Sequence, residues 1–328
     1  MKNKDISSIG EFGLINIIKK QFSNSNINDV IVGLGDDCFC FKPPKGNICI
    51  TKDMLIENIH FKKKWTTPQK LGEKAIEVAV SDIAAMGIAN PKYAFIGLGM
   101  PPITSEIFVK GLFNGFKKAC DRHNMTIAGG DTVKSDKIII SITILGISKY
   151  KLLKRGGAKS GDLIGVTNTF GDASAGLFLL RKYGVTREYS KDELFLIHKQ
   201  NNPKARIYES QKMSKYLNSL TDASDGLYIS IDLLTKESIR GADINMNKIP
   251  ISSSLRKIYK EYKTALDFAL FGGEDYELVF TVPESKAKLL EKLVPEISYI
   301  GKINSSKKVK YFYNDKEQEI KYSGYKHF

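Results

Sequence analysis

The chain has 328 residues, 42% of them hydrophobic and 26% charged, a composition that excludes a disordered, collagenous or low-complexity protein. Lys and Arg number 50 against 36 Asp and Glu, a net charge of +14. The basic residues are scattered in short runs such as 62–64, without helix-turn-helix, RNP or zinc-finger signatures, so no dedicated nucleic-acid binder is expected. No apolar run approaches the ~20 residues needed to cross a bilayer. The N-terminus (MKNKDISSIGEFG) shows no signal-peptide core, which leads to the expectation of a cytoplasmic protein with no membrane partner. Four cysteines, two of them spaced C-x-C at Cys38 and Cys40, read as small buried hydrophobes rather than as a disulfide or zinc framework.

At about 150 residues per domain the length predicts two domains. Apolar periodicity predicts strands over 30–32 and 47–50, then a helix over 68–86 that opens near Pro68 and stops at Gly87. A strand over 93–98 and a helix over 104–121 follow, the latter with Ile107, Phe108, Leu112, Phe116, Ala119 and Cys120 toward one face. Strands are expected over 125–128 and 137–147. The basic, Gly-rich stretch 148–162 (SKYKLLKRGGAKSGD) reads as a boundary, which divides the chain into 1–148 and 149–328. The second part promises a strand over 163–166, helices near 172–183, 203–217, 225–238 and 284–294, and strands near 277–282 and in the aromatic tail. Strands and helices alternate throughout, so the expected fold class is α/β (α+β).

The informative pattern is where the acids fall. Six segments place carboxylates beside glycines or at the ends of apolar runs: Gly33-Leu34-Gly35-Asp36-Asp37, Thr51-Lys52-Asp53, Ser81-Asp82, Gly129-Gly130-Asp131-Thr132, Thr221-Asp222-Ala223-Ser224-Asp225-Gly226 and Gly272-Gly273-Glu274-Asp275. Each alone is ordinary turn chemistry. Taken together, converging carboxylates repel one another unless hard cations with oxygen ligands lie between them, and Mg²⁺ is the usual one where phosphates complete the shell. Asp82 falls on the helical row of Leu71, Ala75 and Val78, where an acid needs a cation or donors.

Other chemistries lack their motifs. There is no Walker A sequence, G-x-G-x-x-G, H-E-x-x-H or G-x-S-x-G, and the four histidines are isolated. Many aspartates, glycine turns and no evident base fit phosphoryl transfer, which rests on positioning and charge neutralisation. An acceptor that is itself a phosphate removes the need for a base, because its oxygen is already ionised.

The order GEFGLI, GLGDDC, TKDML…HF, AVSDIAAMG, GGDT, RGGAKSGD, TDASDGL, GGEDYE and GYKHF resembles the thiamine-monophosphate kinases, of the aminoimidazole ribonucleotide synthetase-like ATP-binding superfamily, from Gly10 to Phe328. The resemblance implies two α/β domains, the first ferredoxin-like and the second a C-terminal α/β domain. It implies a homodimer paired through its N-terminal sheets, and ATP-dependent phosphorylation of thiamine monophosphate to thiamine diphosphate with several Mg²⁺ ions. By resemblance Asp36, Thr51, Asp53, Asp82, Asp131, Asp222 and Asp225 would hold metal. Gly130, Asp131, Arg155 and Ser224 would meet ATP. His60, Glu274 and Tyr322 would contact thiamine monophosphate, and no residue is implied as a general base. Lys52 stands where the family has a threonine in its metal loop, and Ile59 precedes His60 where a polar residue is common. Superfamily relatives with other reactions carry a reactive residue ahead of the first acidic loop or a terminal cysteine. Here no cysteine precedes Cys38 and the given sequence ends in Phe328.

Overall fold

A computed structural model describes residue 13 and residues 30–32, 39–42, 45–87 and 89–321. The chain divides into two compact units, Met1–Ile83 with Ala89–Tyr150 and Ala84–Ile88 with Lys151–Phe328. Both are mixed α/β, as expected.

In the first unit, strands β1 (Val30–Val32) and β2 (Cys40–Phe41) form a small antiparallel ladder. The main sheet is built from β3 (Asn47–Ile56), β4 (Asn90–Met100), β5 (Thr126–Lys134) and β6 (Ile139–Ser148), in the order β3-β6-β4-β5. Helices α1 (Pro68–Ala85) and α2 (Glu106–Arg122) separate β3 from β4 and β4 from β5. The connectivity is β-α-β-α-β-β, with β4 and β5 parallel and the other neighbours antiparallel, so the unit does not follow the β-α-β-β-α-β order of the ferredoxin-like domain that the resemblance implies. Burial alternates strictly along β6: Ile140, Ile142 and Ile144 are fully buried, while Ile139, Ser141 and Thr143 are half-exposed. That period of two marks a sheet packed on one face.

Helix α1 is buried all round from Leu71 to Val80. It lies close to α2 because glycines stand at the crossing: a Cβ on Gly115 would come within 2.0 Å of the Gln69 carbonyl oxygen, and one on Gly72 within 2.2 Å of that of Leu112. The acids this burial traps, Glu73 and Glu77, are met from α2 by Lys118, Arg122 and His123. Leu112, Phe116, Ala119 and Cys120 are buried on α2 as expected, but Ile107 is 65% exposed. At about 100° per residue it stands half a turn away from Phe116.

In the second unit, seven strands form one sheet in the order β13-β12-β9-β11-β7-β10-β8. These are β7 (Leu163–Thr167), β8 (Ser219–Asp222), β9 (Gly241–Asn245), β10 (Leu278–Val282), β11 (Ile297–Asn304), β12 (Val309–Tyr313) and β13 (Lys316–Gln318). β10 is buried on both faces. Its Val279 joins one core with helices α3 (Asp172–Tyr183), α4 (Lys191–Asn201), α6 (Leu227–Ser238) and α8 (Tyr262–Phe271), while Leu278, Phe280 and Val282 join a second with α5 (Ile207–Met213) and α9 (Ala287–Leu293). A short helix α7 (Ser253–Ile258) precedes α8.

Three expected helices are shorter than their spans. The helix expected over 203–217 is α5 followed by a 3-10 turn, with 203–206 irregular. The one expected over 284–294 is a 3-10 turn followed by α9. The one over 225–238 begins only at Leu227, because Gly226 lies at φ +102°. Helices α4, α7 and α8 were not anticipated. For α4 a local signal exists: Ser190 and Glu193 form a capping box, each side chain bonded to the other's backbone amide.

Candidate functional site

In the first unit β3 carries Thr51 and Asp53 in the same phase as the buried Cys49 and Leu55. The Thr51 hydroxyl donates to the carboxylate Oδ2 of Asp82, which continues the row of Leu71, Ala75 and Val78 on α1 and is half-buried. The helix axis is therefore oriented so that the acid on the apolar row meets a donor from the sheet. Lys52, one residue out of phase, projects to the other face, where its Nζ donates to Ser141 Oγ at 2.7 Å. Its charge and the Thr51–Asp82 pair lie on opposite faces of one strand.

Asp53 shares a rung of the sheet with Ile142, Ile96 and Gly130. Three strand spacings, about 14 Å, separate β3 from β5 along that rung. Asp131 belongs to the next rung, with Gly97, Ser141 and Met54, and successive rungs face opposite ways. Thr51 and Asp82 are thus brought together with Asp53 nearby on the strand, whereas Asp131 stands apart and exposed, its Oδ1 accepting from the Thr132 amide at 2.8 Å. Gly130 is required by its neighbour strand: a Cβ there would sit 1.9 Å from the Ile96 carbonyl oxygen. His60 follows β3 in a tight turn, and its Nδ1 accepts from the Ile56 amide at 3.0 Å, which leaves the proton of a neutral ring on Nε2. Asp36 and Tyr322 lie outside the described residues. Among the described residues, no three carboxylates, imidazoles or thiols are grouped closely enough to hold a metal ion by themselves.

The second unit brings the remaining expected residues to one place. β8 ends at Asp222, which is buried, and the chain then runs through Ser224 and the exposed Asp225 into the N-terminus of α6. Ser224 Oγ donates to Asp225 Oδ2 at 3.0 Å. The 222–225 loop is laced to the 274–277 turn by backbone bonds: Glu274 N to Ser224 O at 2.7 Å, Tyr276 N to Ala223 O at 3.0 Å and Ala223 N to Glu277 O at 2.8 Å. Arg155 comes alongside from the basic Gly-rich loop, its Nε donating to Thr221 Oγ1 at 3.3 Å. Arg155, Asp222, Ser224, Asp225 and Glu274 therefore sit around one loop pair.

Beneath that loop pair lies a polar network that the sequence does not reveal. A pocket of about 190 Å³ is lined by Glu274 together with Asp172, Lys199, Arg206, Asp275 and Glu277, among others. Glu277 is only 2% exposed; it accepts from Thr167 Oγ1 at 2.7 Å, from Asn168 Nδ2 at 3.1 Å and twice from the Arg206 guanidinium, with Nε at 2.7 Å. Burial disfavours the Arg206 charge, but the Glu277 carboxylate outweighs it and holds the guanidinium pKa above its ordinary value. Asp275 caps α3, accepting from the Gly171 and Ala173 amides at 2.8 and 3.2 Å. Burial, with Asp172 and Glu277 close by, still drives its pKa well above the carboxylate range. Asp172 is raised for the same leading reason, although Ser252 and Thr169 both donate to it.

Residues 35–148 match the N-terminal domain of AIR synthase related proteins, and residues 159–314 match the C-terminal domain of the same group. The thiamine-monophosphate kinase of Buchnera aphidicola subsp. Acyrthosiphon pisum is 37% identical over 321 residues, covering 95% of this chain and 98% of its own. The crystal structure of thiamine-monophosphate kinase from Stenotrophomonas maltophilia K279a superposes with a TM-score of 0.84 at 29% identity, over 94% of this chain and 98% of that one. A structure described as AaThiL complexed with AMPPCP and TMP superposes with a TM-score of 0.78 at 34% identity, over the full length of both chains. With both halves matched and identity sustained from end to end, the chain belongs to the thiamine-monophosphate kinase family.

Proposed function

We propose that this chain transfers the γ-phosphoryl group of ATP to the phosphate of thiamine monophosphate, giving thiamine diphosphate and ADP, the last step of thiamine diphosphate synthesis. The full-length relation to a protein solved with AMPPCP and TMP is the observation that carries this reading. One bond forms between an acceptor phosphate oxygen and the γ-phosphorus, and one breaks between that phosphorus and the β,γ-bridging oxygen. The acceptor oxygen is already ionised near neutral pH, so the absence of a base among the assigned residues is consistent with the chemistry.

Asp36, Thr51, Asp53, Asp82, Asp131, Asp222 and Asp225 are the residues proposed to hold Mg²⁺. Carboxylates and a hydroxyl form an all-oxygen donor set, the chemistry that a hard cation prefers, and the Thr51 hydroxyl already meets the Asp82 carboxylate. Magnesium, when bound, neutralises charge between the two polyanions. Gly130, Asp131, Arg155 and Ser224 are proposed to receive ATP, Arg155 by countering phosphate charge and Gly130 by the bare backbone it presents. His60, Glu274 and Tyr322 are proposed to recognise thiamine monophosphate. A homodimer is proposed through the open face of the first unit's sheet, where Ile48, Ile50, Met54 and Val133 are 47, 68, 47 and 58% exposed. Among the described residues no helix is long and apolar enough to cross a membrane, and a cytoplasmic setting, where ATP is made, is part of the proposal.

The test is direct assay of the purified chain with ATP, thiamine monophosphate and saturating Mg²⁺. Thiamine diphosphate is the expected product, and a folded chain that makes none overturns the reading. Asp131→Asn is expected to lower turnover by about 100-fold or more without lowering the melting temperature.

A further inference from the structure

Arg155 opens the glycine-rich part of the basic stretch, and the backbone on both sides of it is fixed. Ahead of it, the Lys154 carbonyl accepts from the Leu220 amide of β8 at 3.0 Å. Behind it, the Gly157 and Ala158 amides both donate to Ser238 Oγ, at 3.2 and 3.0 Å. The root of the arginine is therefore set, but its long, exposed side chain would still sweep the guanidinium over a wide arc. One contact removes that freedom: Nε donates to Thr221 Oγ1 at 3.3 Å. Thr221 is 1% exposed and stands on β8 opposite Val279 of β10, so it is a rigid anchor. Its own hydroxyl proton points to the Asp222 carbonyl oxygen at 3.3 Å, which leaves an oxygen lone pair for Arg155. Among the described residues no carboxylate forms an ion pair with Arg155. Held at its inner nitrogen, the guanidinium keeps both terminal nitrogens for another partner, in the fork that matches two oxygens of one phosphate.

We infer that Thr221 is a positioning residue for the nucleotide: its hydroxyl holds Arg155 by Nε and turns the terminal fork of the guanidinium toward the polyphosphate of ATP, a role that rests on the proposed contact of Arg155 with ATP. An arginine loses much rotamer freedom when it is ordered, and less of that loss falls on binding if the side chain is already held. The direction of the fork matters as well, because two parallel N–H donors engage a phosphate only when both point at it. Thr221 acts on ATP through Arg155 alone, so its effect belongs to one substrate.

The experiment compares wild type with Thr221→Val, which keeps the shape and removes the hydroxyl, and with Thr221→Ser, which keeps the hydroxyl. Thr221→Val is expected to raise the KM for ATP on the order of tenfold, the scale of one hydrogen bond to a charged group, and Thr221→Ser to restore it to within about threefold of wild type. The KM for thiamine monophosphate and the Mg²⁺ concentration for half-maximal turnover stay within about twofold. A residue needed only for packing would instead shift kcat, both KM values and the melting temperature together. Arg155 is exposed, so Arg155→Lys probes the same contact without disturbing the core. Lysine has neither the Nε donor nor the fork, so its KM for ATP is expected to rise about tenfold and Thr221→Val to add nothing in that background. A KM for ATP unchanged in Thr221→Val, a wild-type KM in Arg155→Lys, or full additivity of the two overturns the inference while leaving the functional reading intact. A folded wild-type chain without turnover overturns both.

Discussion

Removing Arg206 isolates a buried charge, and its cost follows from the contacts. Glu277 accepts four side-chain hydrogen bonds, two of them from Arg206, which is also the one cation bonded to it through its side chain among the described residues. Arg206→Leu leaves the Thr167 and Asn168 donors in place, so half the hydrogen bonds survive while the whole countercharge is lost. Breaking a buried pair from one side costs about 3–5 kcal/mol, and the surviving donors put this case near the lower end, about 3 kcal/mol. For a unit of this size that corresponds to a melting temperature lower by roughly 6–12 °C. Calorimetric melts of wild type and variant under the same conditions should show that gap. A gap under about 2 °C refutes the argument that Glu277 is an ion held by Arg206.

Three other outcomes are expected. Asp275 has a folded-state pKa raised well above the ordinary range, so its contribution to stability is complete below the unfolded pKa and is lost as pH rises toward the folded value; the difference in stability between wild type and Asp275→Asn should move against wild type between about pH 5 and about pH 8, and a flat difference counts against a desolvated carboxyl. Gly130→Ala drives a methyl group to 1.9 Å from the Ile96 carbonyl oxygen, so β4 and β5 must part; denaturant melts should show a loss of about 2–4 kcal/mol, and a wild-type midpoint would show that the strands do not approach so closely. Thr51→Val removes the hydroxyl that meets Asp82 and keeps the shape; the Mg²⁺ concentration for half-maximal turnover should rise about tenfold, with an unchanged value removing Thr51 from the metal site.

What could be read from the sequence was local. A carboxylate beside glycine at the end of an apolar run declares itself within a few residues, so the acids at 131, 222–225 and 274 were legible, and so was the strand β10 beside the 222–225 loop. The network under the second loop pair was not, because its partners meet only in the fold: Arg206 lies 71 residues from Glu277 and Thr167 lies 110 away. A helix over 203–217 would simply include Arg206, with nothing to single it out. In the structure Arg206 precedes α5, and two of its guanidinium nitrogens are engaged by Glu277. The helix α4 was missed for a different reason. Its sequence KDELFLIHKQN is largely polar and only Leu196 and Gln200 are buried, so apolar periodicity is a poor witness and the capping box at Ser190 is the better one.

The acids of the first unit show the limit most sharply. In sequence Asp53, Asp82 and Asp131 are equivalent, each an acid at the end of an apolar run. The sheet makes them unequal, because register decides which face each occupies, and a shift of one residue reverses it. A bulge where Ala94 and Phe95 oppose Ile127 and Gly129 sets that register for β5, and it places Gly130, not Asp131, on the rung of Asp53. The same alternation sends Lys52 to the face of Ser141 and keeps its ammonium off the Thr51–Asp82 pair. A lysine in the family's metal loop is thus compatible with the Thr51–Asp82 contact for a reason that no spacing of residues along the chain could supply.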